Sequence, residues 1–511
     1  MKMTKFFIVI IAAGLFVTGC KKSYLDVNTN PNSLVGSTPD YIFTAGVARA
    51  ASIITPNETG EYWSGHWTQS STYIYDPARF SYNFNNTNFN FWDTWYDVLE
   101  DFQYAIDNAD AKGLPQFKGP SKVMKAYLFQ QVVDCYGNVP YSDAFKGSNS
   151  ITPKFDDQKA IYDSLIVLLD GAITDLRANA FTGTSGSADI VFKGNTTNWV
   201  RFANSLKLRI LMRQSRVASR ASYIVTEINK ANATPEGFLT SGTDVKANPG
   251  YTQSSGQTNP IYANWGYSAA GAVLALARFP RPTTFLFNQM IAIDDTFRLK
   301  RLAYAKGGEN GNNSGVSVNP EILSNYVGVP YGSTSGYLAQ NTSYIGPSFI
   351  TKAGYAKDVY LLLAAESFFC LAEAKQVFPA VTLSGTVQSY YEQGVKESFR
   401  VTGTTSNAAT TILVNGKLLS DWTAATTATQ QLQTIWLQKW LALTNFSGLE
   451  AWCDFRRTNY PTLPPSAGAP VGQALPVRLF YPNTEQASNG ANVTAQGNID
   501  VFAGRLFWDI D

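Results

Sequence analysis

Histidine occurs once in the 511 residues, as His66, and cysteine only four times. A zinc site of the H-E-x-x-H kind needs two histidines, and a Ser-His-Asp or Cys-His nucleophile would have to run through His66. Charge is scarce too, at 15% of residues, with 40 Lys+Arg against 38 Asp+Glu. Lys2 and Lys5 are the only charged residues before position 20, so the chain without that leader is neutral. No block of like charge stands out, which removes the basic field that nucleic acid would need. No P-loop, G-x-G-x-x-G or G-x-S-x-G elbow is present. The residues give no sign of catalysis and call for no cofactor and no metal.

Apolar and aromatic residues are plentiful instead: 45% of the chain is hydrophobic and 14% aromatic, with 31 Phe, 27 Tyr and 11 Trp. That is enough to bury a sizeable core, and it marks a folded globular protein. Aromatics left over in polar loops point to a binding surface.

Lys2 and Lys5 precede Phe6 to Val17, a 12-residue apolar run. It is too short to span a bilayer and reads as a secretory signal over residues 1–19. The run ends at Val17-Thr18-Gly19-Cys20, which resembles a bacterial lipoprotein processing site, where the thiol of Cys20 takes a diacylglycerol and the new N-terminus is acylated with a palmitate-type chain. At roughly 0.8 kcal/mol per buried methylene, one chain binds marginally and three hold permanently. No later window reaches the roughly 18 apolar residues a spanning helix needs. The expected state is anchored, not spanning. Cys135, Cys370 and Cys453 lie in apolar helical contexts and read as free and buried.

Residues 20–38, polar and rich in Asn, Ser and Pro, suit a tether. Asp26-Val-Asn28-Thr-Asn30 begins like a calcium loop, but Pro31 stands where that loop requires glycine and no Glu follows at the twelfth position. From residue 39 the pattern is mainly α. Trp92, Trp95, Leu99, Phe102 and Ile106 share one helical face, as do Trp199, Phe202, Ala203, Leu206 and Ile210, with Arg201, Lys207, Arg209 and Arg213 largely off that stripe. Leu432, Ile435, Trp436 and Leu443 repeat it. Further helices are expected over Tyr41 to Ile54, Ser121 to Cys135, Asp156 to Arg177, Asp358 to Gln376 and Val387 to Phe399. Between them lie long loops, including Asn232 to Pro280 and Ala305 to Ser348, crowded with Gly, Ser, Thr and Asn. Loops of that length are functional more often than idle.

Several segments together resemble the SusD/RagB family of surface nutrient-binding lipoproteins. They are Asp26-Val-Asn-Thr-Asn-Pro31-Asn after the lipid cysteine, Asp134-Cys-Tyr-Gly-Asn-Val-Pro140-Tyr141-Ser-Asp143-Ala, and Trp199 to Arg209. Leu361 to Glu373, Gln438-Lys439-Trp440, Arg456-Arg457-Thr-Asn-Tyr-Pro461 and Arg478-Leu-Phe-Tyr481-Pro482 complete the set, spread over nearly all of the chain in the family's order. The resemblance implies one domain over residues 39–511, a tetratricopeptide-like scaffold of helix pairs under long irregular loops. It also implies a partner, a SusC-like TonB-dependent barrel in the outer membrane, over which the protein sits as a lid. Lys21 and Lys22 follow Cys20 in place of an acidic run, so the choice between the cell-surface and inner leaflets stays open, with the surface preferred.

Trp63, His66, Trp67, Tyr73 and Tyr75 lie in a stretch without helical period, and Tyr262, Trp265 and Tyr267 lie in a polar loop. Exposed rings stack on the C–H faces of sugars while neighbouring amides bind the hydroxyls, so Trp63, Trp67, Tyr73, Tyr75, Tyr262, Trp265 and Tyr267 are the candidate ligand-binding residues. The bland alternative is that they pack the loops down. His66 alone reads as a hydrogen-bonded structural residue. An uncharged ligand needs no steering field, so binding should be largely independent of salt.

Asp93, Asp97 and Asp101 share a helix face and raise the alternative of a lipid-anchored glycoside hydrolase, but at the start of their helix and opposite the Trp92 stripe they read as a solvated face. Glu366 and Glu373, on a very apolar helix, should pair with arginines such as Arg209 and Arg456. The reading is a non-catalytic, lipid-anchored outer-membrane protein that captures an oligosaccharide, or alternatively a peptide, and hands it to the transporter. A structural surface protein is the third class.

Overall fold

The computed structural model describes residues 37–510 except 55, 56, 75, 310–314 and 316. The signal, Cys20, the calcium-like Asp26 to Asn30, most of the tether and Tyr75 therefore lie outside the described residues. Pro39–Asp511 forms one compact unit.

The architecture is a run of packed helices. The first five long ones are α1 (Pro39–Ile54), α3 (Trp92–Asn108), α4 (Lys118–Tyr136), α5 (Gln158–Ala178) and α6 (Thr196–Arg213), with the short α2 (Glu58–Trp63) after α1. In α3 the stripe behaves as its period demands: Trp92, Trp95, Leu99 and Phe102 are buried, and Asp93 and Asp97 face out. Capping fixes the ends. Asp157 accepts from the Lys159 and Ala160 N–H groups at the start of α5, and Asn195 accepts from Asn198 N–H at the start of α6. After α7 (Ala221–Asn232) come α8 (Pro260–Trp265), α9 (Thr284–Ala292) and α10 (Thr296–Leu302). The C-terminal part adds α11 (Ala364–Val377), α12 (Val387–Thr402), α13 (Ser406–Leu413), α14 (Ala428–Leu443) and α15 (Gly448–Thr458).

Each of α4 to α7 packs on its predecessor, α1 covers α3, and α11 joins α6 to α12 and α14. Two apolar cores result. One runs from Phe43 through α3 to α6 to Trp508, and the other gathers α9, α10, α12, α13 and α14. Helix α11 contributes Cys370 and Leu371 to the first and Phe369 and Ala372 to the second. It is buried all round, which is why its sequence shows no polar stripe.

Among the described residues the strands form three two-stranded ladders: β1 (Trp67–Gln69) with β3 (Pro280–Pro282), β2 (Val245–Ala247) with β6 (Val359–Leu362), and β4 (Ala303–Tyr304) with β5 (Tyr344–Ile345). The helix expected from Asp358 is corrected here. Val359–Leu362 is extended because Val359 and Tyr360 pair with Ala247 and Lys246, a partner too distant in sequence for any local pattern to reveal.

Burial of α6 and α11 places their charges inside. Arg209 donates twice to Glu366, at 2.6 and 2.8 Å, as expected. Glu373 pairs with Arg457 at 2.5 and 2.9 Å instead of Arg456, which donates to the carbonyls of Val477 and Asp134. Arg213 bridges Glu450 at 2.5 Å and Asp454 at 3.1 Å, and Lys439 reaches Asp454 at 2.5 Å. Burial works against charge on Asp454, but Lys439, Arg457 and Arg213 hold its carboxyl below the usual carboxylate range. Lys207, Arg209 and Arg213 lie off the apolar stripe yet are buried, because α6 is covered on every side. Cys135, Cys370 and Cys453 are free and buried. No helix among the described residues is long and apolar enough to cross a membrane.

Candidate functional site

Trp63 and Trp67 do not reach the surface; both are 0% exposed. Gly60 explains the descent of this segment. A Cβ there would stand 2.2 Å from the Leu449 nitrogen, and one on Gly448 would stand 2.3 Å from the Glu61 nitrogen, so α2 and α15 meet backbone to backbone. That contact draws the aromatic stretch into the core. The Trp63 indole N–H donates to the Arg79 carbonyl at 3.1 Å, and its ring packs 5.1 Å from Trp452. Trp67 donates to Asn445 Oδ1 at 2.7 Å and lies edge-on to Tyr62 and Trp265. His66 is enclosed: Nδ1 is 2.8 Å from Glu61 Oε2 and Nε2 is 3.1 Å from the Trp440 carbonyl.

The second cluster is buried as well. Tyr262 donates to the Lys352 carbonyl at 3.2 Å, Tyr267 donates to Glu309 Oε2 at 2.8 Å, and Trp265 packs on Trp67. As stacking faces, Trp63, Trp67, Tyr262, Trp265 and Tyr267 are thus corrected: each ring is covered by neighbours from distant segments, and every one of these hydroxyls and the two donating indoles is satisfied inside. Among the described residues of the set, Tyr73 is the one that stays half-buried.

Tyr73 belongs to a rim built from three segments. Strands β1 and β3 bring the first two together, with Thr68 opposite Arg281 and Gln69 opposite Pro280. The third is stitched on by hydrogen bonds: Ser71 N–H donates to the Tyr337 carbonyl at 2.8 Å, Tyr337 N–H to Ser71 Oγ at 3.1 Å, and Ala339 N–H to Thr72 Oγ1 at 3.1 Å. A fourth bond runs from Gly332 N–H to Thr68 Oγ1 at 3.0 Å. The Tyr73 ring stands edge-on to Phe279 at 5.9 Å. Tyr73, Phe279 and Tyr337 are half-buried, while Ile74 and Leu338 are 42% and 45% exposed. Together they present ring and aliphatic surface flanked by Thr72 and Gln340, both exposed. That combination can stack on a sugar and bind its hydroxyls.

Beneath the rim lies Arg281, its guanidinium 3.7 Å over the Tyr344 ring. Burial brings its pKa down to about 10, with Tyr344, Tyr62 and Tyr73 acting against that shift. Under the first and third segments, Gly65, Tyr82, Tyr331, Phe455, Leu463 and Pro464 line a cavity of about 260 Å³. Phe279, Arg278 and Arg281 are not among the residues that sequence pattern singles out; their signal is the Arg-Phe-Pro-Arg-Pro run at 278–282, two cations and a ring in five residues.

The candidate acids of a hydrolase lie elsewhere. Arg49 on α1 holds Asp101 at 2.8 Å and Asp97 at 3.6 Å, and Asp93 accepts from Thr484 Oγ1 at 2.8 Å. They form an outer face bridged to neighbouring elements. Among the described residues no group of three or more His, Cys, Asp or Glu is arranged to hold a metal ion.

A family model described as starch-binding and associating with the outer membrane matches residues 31–482. Among solved structures, a chitin-binding SusD homolog from Flavobacterium johnsoniae is 25% identical, covering 92% of this chain and 99% of that one with a TM-score of 0.70. A SusD homolog from Bacteroides uniformis is 24% identical over 92% and 100% of the two chains at a TM-score of 0.73. One from Bacteroides fragilis is 23% identical over 93% and 99% at 0.75. No curated protein matches the sequence.

Proposed function

The chain belongs to the SusD-like family, whose members associate with the outer membrane, and from that premise we propose that it is a non-catalytic, cell-surface lipoprotein that captures an oligosaccharide and delivers it to a SusC-like TonB-dependent transporter. Residues 1–19 are removed as a signal, Cys20 carries the acyl chains, residues 20–38 form the tether and residues 39–511 the binding domain. Ligand rests on Tyr73, Phe279, Tyr337 and Leu338, with Tyr75 beside them in sequence. Closure against the barrel then leaves the inward route as the exit.

The observation that carries this reading is the rim itself. Half-exposed rings on loops that are hydrogen-bonded to one another, above a helical frame, lose little freedom when a ligand docks. The chitin-binding relative supports a glycan over a peptide as the ligand.

Affinity electrophoresis tests it. In gels containing a range of polysaccharides, the protein should be retarded by at least one, and Tyr73→Ala and Tyr337→Ala should run free. No new reducing ends should appear in the glycan. Equal mobility of wild type and variants in every gel removes the site, and released reducing ends favour a hydrolase. Incorporation of labelled palmitate, lost in Cys20→Ala, tests the anchor, and co-purification of a TonB-dependent barrel tests the partner.

A further inference from the structure

The rim's segments, residues 65–75, 278–283 and 331–346, contain no Asp and no Glu; their charged side chains are Arg278 and Arg281, with His66 buried against Glu61. Asp76, the first acid after residues 65–75, faces Arg79 at 3.7 Å, so in a chain that is neutral as a whole the rim's own segments carry net positive charge.

Arg281 is 0% exposed and unpaired. Of the other large buried arginines, Arg209 has Glu366, Arg213 has Glu450, Arg298 has Asp295 and Arg457 has Glu373, while Arg456 is held by the Val477 and Asp134 carbonyls in the helical core, away from the rim. Arg281 has only neutral partners, donating from Nε to Thr342 Oγ1 at 3.2 Å and from Nη1 to the Pro280 carbonyl at 2.8 Å, and its Nη2 is buried without a hydrogen bond. A buried cation without a counter-charge is unfavourable, and its field is weakly screened because little water intervenes. Arg278 stands exposed three residues earlier and, like Arg281, favours the ionised form of Tyr344, so both guanidiniums act on the same side of the rim.

We infer that the oligosaccharide taken at this rim is anionic, a glycan whose sugars carry carboxylate or sulfate groups. This rests on the capture reading and specifies its ligand. Arg278 meets the charged group directly, as a planar fork suited to two oxygens. Arg281, which the ligand does not touch, adds the weakly screened field of a buried, unpaired cation from below. Binding is then salt-sensitive, against the salt independence that neutral net charge suggests.

Calorimetry on the full chain in detergent decides it, with oligogalacturonate, a carrageenan hexasaccharide and maltohexaose as carboxylated, sulfated and neutral probes. At about 0.05 M salt, at least one anionic probe should bind about tenfold tighter than maltohexaose, and the advantage should shrink several-fold by about 0.5 M. Arg278→Gln should remove most of the preference, and Arg278→Glu should invert it, both on folded protein because the residue is exposed. Maltohexaose binding as tightly as both anionic probes, or a preference unchanged in Arg278→Glu, overturns the inference while leaving capture intact. Failure of all three probes to bind, with a neutral polysaccharide still retarding the protein in gels, also overturns the inference and leaves capture intact; free mobility in every gel removes both.

Discussion

Glu366 sits on an apolar helix where a carboxylate cannot stay unpaired, and the fork-shaped guanidinium of Arg209 takes it with two hydrogen bonds. Truncating one side should be severe. Glu366→Ala leaves Arg209 buried against Glu450 alone at 3.6 Å, and chemical denaturation should show a loss of about 3–5 kcal/mol. The double change Arg209→Met with Glu366→Leu should lose clearly less, because no buried charge is stranded. A similar contrast separates the aromatics. Trp63→Ala empties a fully enclosed site and should lower stability by about 3–5 kcal/mol. Tyr73→Ala, at the half-exposed rim, should change stability by about 1 kcal/mol or less while abolishing glycan retention. If thermal melts of the two variants coincide, the division between core and rim is wrong.

At the scale of elements, the long helices were legible because a 3.6-residue period survives wherever one face meets solvent. The stripe of α3 is the clear case. Of the helices buried nearly all round, α11 showed its inward carboxylates through its apolar run, whereas α6 showed its stripe but hid that Lys207, Arg209 and Arg213 lie inside as well. The short strands and α2 were not legible. Their pairing partners lie far along the chain, as Val245 does from Leu362, and α2 is placed by a two-glycine contact with α15. That contact is testable: Gly60→Ala drives a Cβ into the Leu449 backbone and should destabilise by about 3 kcal/mol or more, whereas Gly147→Ala, with open space around its Cβ, should carry only the penalty of a left-handed backbone. Comparable melting temperatures for the two would refute the close approach.

For the molecule as a whole, stability should fall at both ends of the pH scale, for different reasons. Asp454 is held below the usual carboxylate range, so the stability it contributes is present above about pH 4 and fades as acid protonates it in the fold. Burial pushes the thiols of Cys370 and Cys453 up to about 12. In the unfolded chain they ionise near about pH 8.5, so their contribution is complete below that value and is lost progressively as pH rises towards 12. Denaturation midpoints measured across pH should therefore decline above about pH 8.5, and replacing both cysteines by alanine should flatten that limb. An unchanged limb would assign it to Cys135, whose thiol burial also pushes up, and the buried tyrosines instead.

Composition and periodicity alone determined that this is a mainly helical, neutral, aromatic-rich chain with a lipoprotein-like leader, and the ordered set of segments pointed to its family. Those properties are local or additive, so one strand of letters carries them. Which rings are buried and which are offered to a ligand was decided only by the tertiary structure. An indole reads the same in sequence whether Trp452 and Phe89 cover it or water does, because burial belongs to what arrives from elsewhere in the chain. The same holds for Arg281: that it pairs with no carboxylate among the described residues is a fact about neighbours, set by how three distant loops meet.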